Sequence, residues 1–154
     1  MVASLRCVIF LDIDGVLVNL AALKEGHGRT FAADCVARLN RLTQESGARL
    51  VVSSVWRKQG LQALRLVFDQ QGVVARISGL TPTLDRVPRG REIRAWLDEH
   101  PEVESFVILD DDADMEDLRP WLVQTDPLLG LVDADVERAL AVLSQSRGGP
   151  DWSA

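Results

Sequence analysis

Positive charge is in deficit in this 154-residue chain. Seventeen Lys and Arg face 23 Asp and Glu, with two His, for a formal net charge of −6 at pH 7. Such a balance disfavours broad binding to nucleic acid or to anionic membrane, because both surfaces are themselves negative. It leaves room for one phosphate in a local cationic pocket, but no extended nucleic-acid surface is evident. Cysteine is scarce as well. Cys7 and Cys35 have no disulfide or thiolate-metal spacing, so buried free thiols in a reducing cytoplasm are expected. No apolar run is long enough for a membrane span, and no signal-peptide cleavage pattern is present. Repeats and low-complexity tracts are missing too. What remains is one domain over residues 1–146 with a tail over 147–154, monomeric or homodimeric. The 47% hydrophobic and 26% charged content fits a soluble domain with a single buried core.

The most informative stretch is Val8-Ile9-Phe10-Leu11-Asp12-Ile13-Asp14-Gly15. An apolar, β-branched run reads as a buried strand. It stops at two acids one residue apart. Residues i and i+2 point the same way in extended backbone, so Asp12 and Asp14 share one small volume. Two anions that close need a cation or a proton between them.

Further apolar patterns follow in order. Asp34 is placed to cap a helix through Val36, Leu39 and Leu42 that ends near Gly47. A strand is expected over 49–53, a helix over 61–70, a strand over 73–77 and a loop over 81–88. Arg89-Gly90 opens a helix through Glu99. A fourth strand covers 105–109, a short fifth covers 122–125, and Asp133 or Asp135 opens a last helix to about Leu143. The alternation predicts an α/β fold, a Rossmann-like three-layer α/β/α arrangement with about five mostly parallel strands. In such sheets ligands bind beyond the carboxyl ends of the strands. Three apolar runs end there in reactive groups: Asp12/Asp14, Ser53/Ser54 and Asp110/Asp111.

The candidate roles follow from side-chain chemistry. Ser53, or Ser54 beside it, offers a hydroxyl to a phosphate oxygen without adding bulk or charge, though a Ser pair before a helix also serves as a cap. Arg57 has a planar donor fork suited to clamping phosphate, or it is a surface residue. Trp56 reads as packing. Arg89 sits at a helix start, with Arg91 as alternative and Arg86 and Arg94 on the same side. Asp110, Asp111, Asp112 and Asp114 crowd the end of the fourth strand. Asp111 is the first choice as metal ligand and Asp110 the second, with Asp114 outside them or capping a helix. Oxygen-only ligands favour Mg²⁺ over zinc, and the spacing lacks the Gly and terminal Glu of an EF-hand. His27 reads as an idle loop residue and His100 as a helix-end residue.

Together these stretches resemble the four motifs of the haloacid dehalogenase-like (HAD) superfamily, over roughly residues 8 to 115. The phrases SSVWR, RGREIRAWL, VILDDDADM and LVQTDPLLGL are similar to the small HAD domains of Swiss Army Knife RNA-repair proteins. The resemblance implies a Mg²⁺-dependent phosphatase acting through an aspartyl-phosphate, with a role in processing nucleic-acid ends. It makes Asp12 the nucleophile and Asp14 the acid and base, with Ser53 and Arg89 on the phosphate. Arg replaces the more usual Lys there. Mg²⁺ would be held by Asp12, the backbone carbonyl of Asp14, and Asp111 with Asp110. Asp at the second position is the phosphatase pattern, whereas ATPase members commonly carry Thr. The spacings between motifs leave no room for a full cap domain. An open site suits an RNA or DNA end or a phosphoprotein. A small metabolite fits only if a partner copy or residues 20–30 cover the pocket. Two other classes stay open. One is a receiver-like Mg²⁺ module, against which Ser53 stands where Asp is wanted. The other is a non-catalytic HAD-like interaction module, which would have no reason to keep the repelling acids.

Overall fold

The structure is a computed structural model and describes residues 6–24, 26 and 30–145. His27 and the tail 147–154 lie outside the described residues. Five strands form one sheet: β1 (Cys7–Leu11), β2 (Arg49–Val52), β3 (Ile77–Leu80), β4 (Ser105–Asp110) and β5 (Leu122–Gln124). Their order is β3-β2-β1-β4-β5 and every pairing is parallel. β1 is central because Val8, Ile9, Phe10 and Leu11 are all fully buried. Burying one such side chain contributes about 1.5–3 kcal/mol. Four of them offset the cost of ending the strand in a crowded acid pair.

Alternation along the strands sorts two cores. Ile9 and Leu11, Leu50 and Val52, and Val107 and Leu109 face one side. There they meet α2 (Ala33–Ser46), α3 (Leu61–Gln70) and α5 (Asp133–Leu143) through Val36, Leu39, Leu64, Phe68, Val136 and Ala139. Val8, Phe10, Val51, Phe106 and Ile108 face the other, packing on Ile93, Trp96 and Leu97 of α4 (Arg89–Asp98). Phe10 lies edge-on to both Trp96 and Phe106, with ring centres 5.3 and 5.7 Å away. The three-layer α/β/α arrangement is as the sequence predicts.

Three local expectations need correction. The third strand runs over Ile77–Leu80, not 73–77. Val73 N–H instead closes the end of α3 on Phe68 O, and Val74 N–H donates to Asn40 Oδ1, so these backbone groups are bonded locally. Asp34 does not cap α2. The N-cap is Ala32, which makes no side-chain cap bond, and Asp34 lies in the first turn. Cys35 is buried, but Cys7 is only partly so.

Sequence patterning gave no sign of the short α1 (Leu20–Lys24) or of two 3₁₀ turns, Val55–Gln59 and Glu116–Trp121. Among the described residues, no inserted domain separates β1 from α2 or β2 from α4. No helix among them is long and apolar enough to cross a membrane.

Candidate active site

The strand ends carry the acids to one place. Asp12 N–H donates to Leu109 O at 3.0 Å, so the β1–β4 pairing runs one residue past β1 and sets Asp12 beside Asp110. Asp12 Oδ1 accepts from Ile13 N–H at 2.9 Å. Asp110 closes β4, is 1% exposed, and takes Asp112 N–H on its Oδ1 at 3.0 Å. The Asp111 carbonyl is held by Gln124 Nε2 at 3.1 Å. Carboxylate oxygens of Asp12, Asp110 and Asp111 all lie within 4.8 Å of one another.

Two glycines make this approach feasible. At Gly15 (φ +85°) an added Cβ would stand 2.5 Å from Asp111 Cγ, so the turn after β1 passes directly against that carboxylate. Thr125 Oγ1 donates to Gly15 O at 2.7 Å and fixes the turn from the end of β5. At Gly90 a Cβ would stand 2.3 Å from Met115 O, and Gly90 N–H donates to Asp114 O at 3.1 Å. The first turn of α4 is thereby pressed onto the loop after β4.

That contact brings Arg89 over the acids. Its Nη1 is 3.2 Å from Asp110 Oδ2 and 3.6 Å from Asp12 Oδ1, and it donates to Ser53 O. One guanidinium does not balance the buried charge. Burial raises Asp12 above the usual carboxylate range, against the pull of Arg89. Burial first, and the Asp12 charge second, push Asp110 up to about 9. Without a further cation, a proton must sit between them.

The residues fit such a cation. The donors are all carboxylate oxygens, the set that hard divalent ions such as Mg²⁺ take. Ser53 adds a second observation. It is fully buried, and its Oγ is the buried side-chain polar atom without a partner among the described residues. Such atoms are nearly always hydrogen-bonded, so one left unpaired at a ligand edge fits a ligand oxygen.

The other candidates are placed differently. The Asp14 carboxylate stands outside the three-acid cluster, half-buried, with its Oδ2 taking Trp56 Nε1–H at 3.0 Å. Ser54 caps the 3₁₀ turn, its Oγ accepting from Trp56 N–H at 3.2 Å. Arg57 is neither a surface residue nor turned to the acids: it is enclosed and bonded to Glu92, Thr83 Oγ1 and Ser54 O. Arg91 points outward and pairs with Glu116 at 2.8 Å, so Arg89 is the arginine at the cluster. Arg94 pairs with Asp117 at 2.7 Å. Asp112 Oδ1 accepts from Asp114 N–H and so shapes the loop. His100 follows α4 and stacks on Trp96 at 3.7 Å.

Trp56 does pack, on Phe31 at 5.8 Å, but its bond to Asp14 was not legible from packing logic. Glu92 and Thr125 were missed as well. The only sequence hint for Trp56 is its place two residues after Ser54. A cleft of about 630 Å³ lies elsewhere, between α1, α2 and the start of α5, and none of the three acids lines it.

Comparison with known proteins bears on this geometry. No curated protein matches the chain. One solved crystal structure overlays 90% of this chain and 81% of its own, at 14% identity and a TM-score of 0.48, too remote to carry weight. A family model described as the HAD domain in Swiss Army Knife RNA repair proteins matches residues 8–136, from the first residues of β1 into α5. That span takes in β2 to β5, all of β1 but Cys7, and every residue of the acid cluster, and the chain belongs to this HAD domain family.

Proposed function

We propose that the domain is a Mg²⁺-dependent phosphomonoester phosphatase that works through an aspartyl-phosphate on Asp12. The observation that supports this best is the meeting of Asp12, Asp110 and Asp111 under Arg89, beside Ser53 Oγ, which has no partner among the described residues. Bound among these acids and the Asp14 carbonyl, Mg²⁺ supplies the charge neutralisation that lets a carboxylate approach an anionic phosphate.

The chain's own residues do the rest. Asp12 attacks phosphorus in line, forming the Asp12 O–P bond as the ester P–O bond breaks. Ser53 Oγ–H and the Arg89 guanidinium bind non-bridging oxygens and stabilise the charge of the transition state. Asp14 gives its proton to the leaving oxygen. It then takes one from the water that attacks the phosphoenzyme, which releases phosphate and restores Asp12.

The lack of an inserted domain among the described residues suits a bulky substrate, and the family's description points to an RNA or DNA end. The test is Mg²⁺-dependent phosphate release from 3′- and 5′-phosphorylated RNA and DNA, phosphopeptides and small phosphomonoesters, beside Asp12→Asn. Turnover requiring both Mg²⁺ and Asp12 supports the phosphatase, and the preferred class decides the substrate. Silence with Mg²⁺ still bound would favour a binding module. Absence of Mg²⁺ binding would overturn the reading.

A further inference from the structure

The acid and base proposed here, Asp14, is half-buried and stands outside the three-acid cluster. Proton transfer needs it within hydrogen-bond reach of one oxygen, and a misplacement of about 1 Å can cost about 10²-fold in rate. Something must hold it.

Trp56 is built to do so. Its indole Nε1–H lies 3.0 Å from Asp14 Oδ2. Indole is a donor only, with its N–H fixed in the ring plane, so the bond sets a direction as well as a distance. The residue is fixed at both ends. Its backbone N–H is tied to Ser54 Oγ at 3.2 Å, and its indole rests on Phe31, which in turn lies edge-on to Phe68 at 5.3 Å. Phe31 and Phe68 are 7% and 2% exposed, so the support comes from the packed core. One side chain thereby links the turn that follows Ser53 to the turn that follows Asp12.

We propose that Trp56 is a positioning residue for the proton transfers made by Asp14. This rests on the phosphatase reading and adds a residue to it. In the first step the ester P–O bond breaks, the Asp12 O–P bond forms, and the Asp14 proton goes to the departing oxygen. In the second, water loses a proton to Asp14 as its oxygen bonds phosphorus and the Asp12 O–P bond breaks. Trp56 touches no reacting atom. It keeps the Asp14 carboxylate on the line of the leaving group.

Trp56→Phe removes the N–H and keeps a ring on Phe31, and leaving-group dependence reads the effect. A phenolate with strongly withdrawing substituents departs with little help, whereas an alkoxide needs the proton. kcat/KM with Mg²⁺ present reports leaving-group departure even where hydrolysis of the phosphoenzyme limits kcat. The variant should lose about tenfold or more on alkyl phosphates and clearly less on nitrophenyl phosphate, since general acids contribute about 10²–10⁴-fold. An equal loss on both substrates would mean a merely structural tryptophan and would overturn the assignment. A wild-type protein silent on every phosphomonoester would overturn the phosphatase reading itself, a separate outcome. A second measurement needs no turnover. In a ¹H–¹⁵N spectrum the Trp56 indole resonance, identified by its loss in Trp56→Phe, should move in Asp14→Ala more than any other indole signal. If it stays in place, the contact is not made in solution and the assignment falls.

Discussion

Arg57 Nη2 bonds both carboxylate oxygens of Glu92, at 2.9 and 2.8 Å, with the two side chains only 8% and 6% exposed. Glu92 also accepts Leu84 N–H at 2.8 Å and lies 3.9 Å from Arg89 Nε. The 3₁₀ turn after β2, the loop after β3 and the first turn of α4 are therefore tied at one carboxylate.

Removing one member of a buried pair costs about 3–5 kcal/mol, and without Arg57 the Glu92 carboxylate keeps only the longer contact to Arg89 and the Leu84 N–H. Arg57→Met should destabilise the fold by that order in urea denaturation. Adding Glu92→Leu should recover part of the loss, though Leu84 N–H then lacks its acceptor. A raised KM for phosphate esters with stability unchanged would instead make Arg57 a substrate ligand.

Ser53→Ala separates binding from folding in the opposite way. The hydroxyl has no partner among the described residues, so its removal relieves an unsatisfied buried group. Stability should stay level or rise by up to about 1 kcal/mol, while inhibition by inorganic phosphate weakens severalfold. A clear loss of stability would point to a hidden structural bond.

The acid pair gives the metal-free protein an unusual pH response. Asp110 is pushed up to about 9 and Asp12 is also raised, so the folded state holds protons that the unfolded chain releases. Stability from these groups is full below the unfolded carboxylate range and declines as pH rises through the folded values. In EDTA, Tm should fall from about pH 5 to about pH 9, and Asp110→Asn should flatten the slope. Mg²⁺ competes with the proton, so the Tm gain on adding it should be larger at the alkaline end. A gain greatest in acid would contradict the acids as ligands.

Gly90→Ala tests the seat of Arg89. The new Cβ would meet Met115 backbone, which cannot swing aside as a side chain would. Overpacking of this kind costs about 1–3 kcal/mol. Tm should drop, and kcat/KM should drop further than it does in a surface variant such as Arg91→Ala.

Much of the fold was legible because apolar periodicity reports burial. The helix over Leu61–Gln70 and the strand ending in Asp110 are placed by that signal alone. The site was legible where its residues stand at strand ends, as Asp12, Ser53 and Asp110 do. Partner choice was not. Nothing in an Arg codon-by-codon neighbourhood tells whether its carboxylate lies in solvent, in a ligand or inside the protein, so Arg57 read equally as clamp or surface. Nor does Glu92, one acid on a charged helix, announce that it is 5% exposed. Val73 to Ala75 fit a strand by composition, but the bonds made by Phe68 O and Asn40 Oδ1 claim that backbone first.

The register of β1 on β4 has a consequence for how the protein comes into being. Cys7 pairs with Ser105 and Leu11 with Leu109, about a hundred residues along the chain. Asp12 leaves the ribosome before Asp110 and meets it only once β2, β3 and β4 have been made. A growing chain thus holds Asp12 without Asp110 and Asp111 beside it until β4 has been made. The three-acid cluster is complete only once β4 has paired with β1.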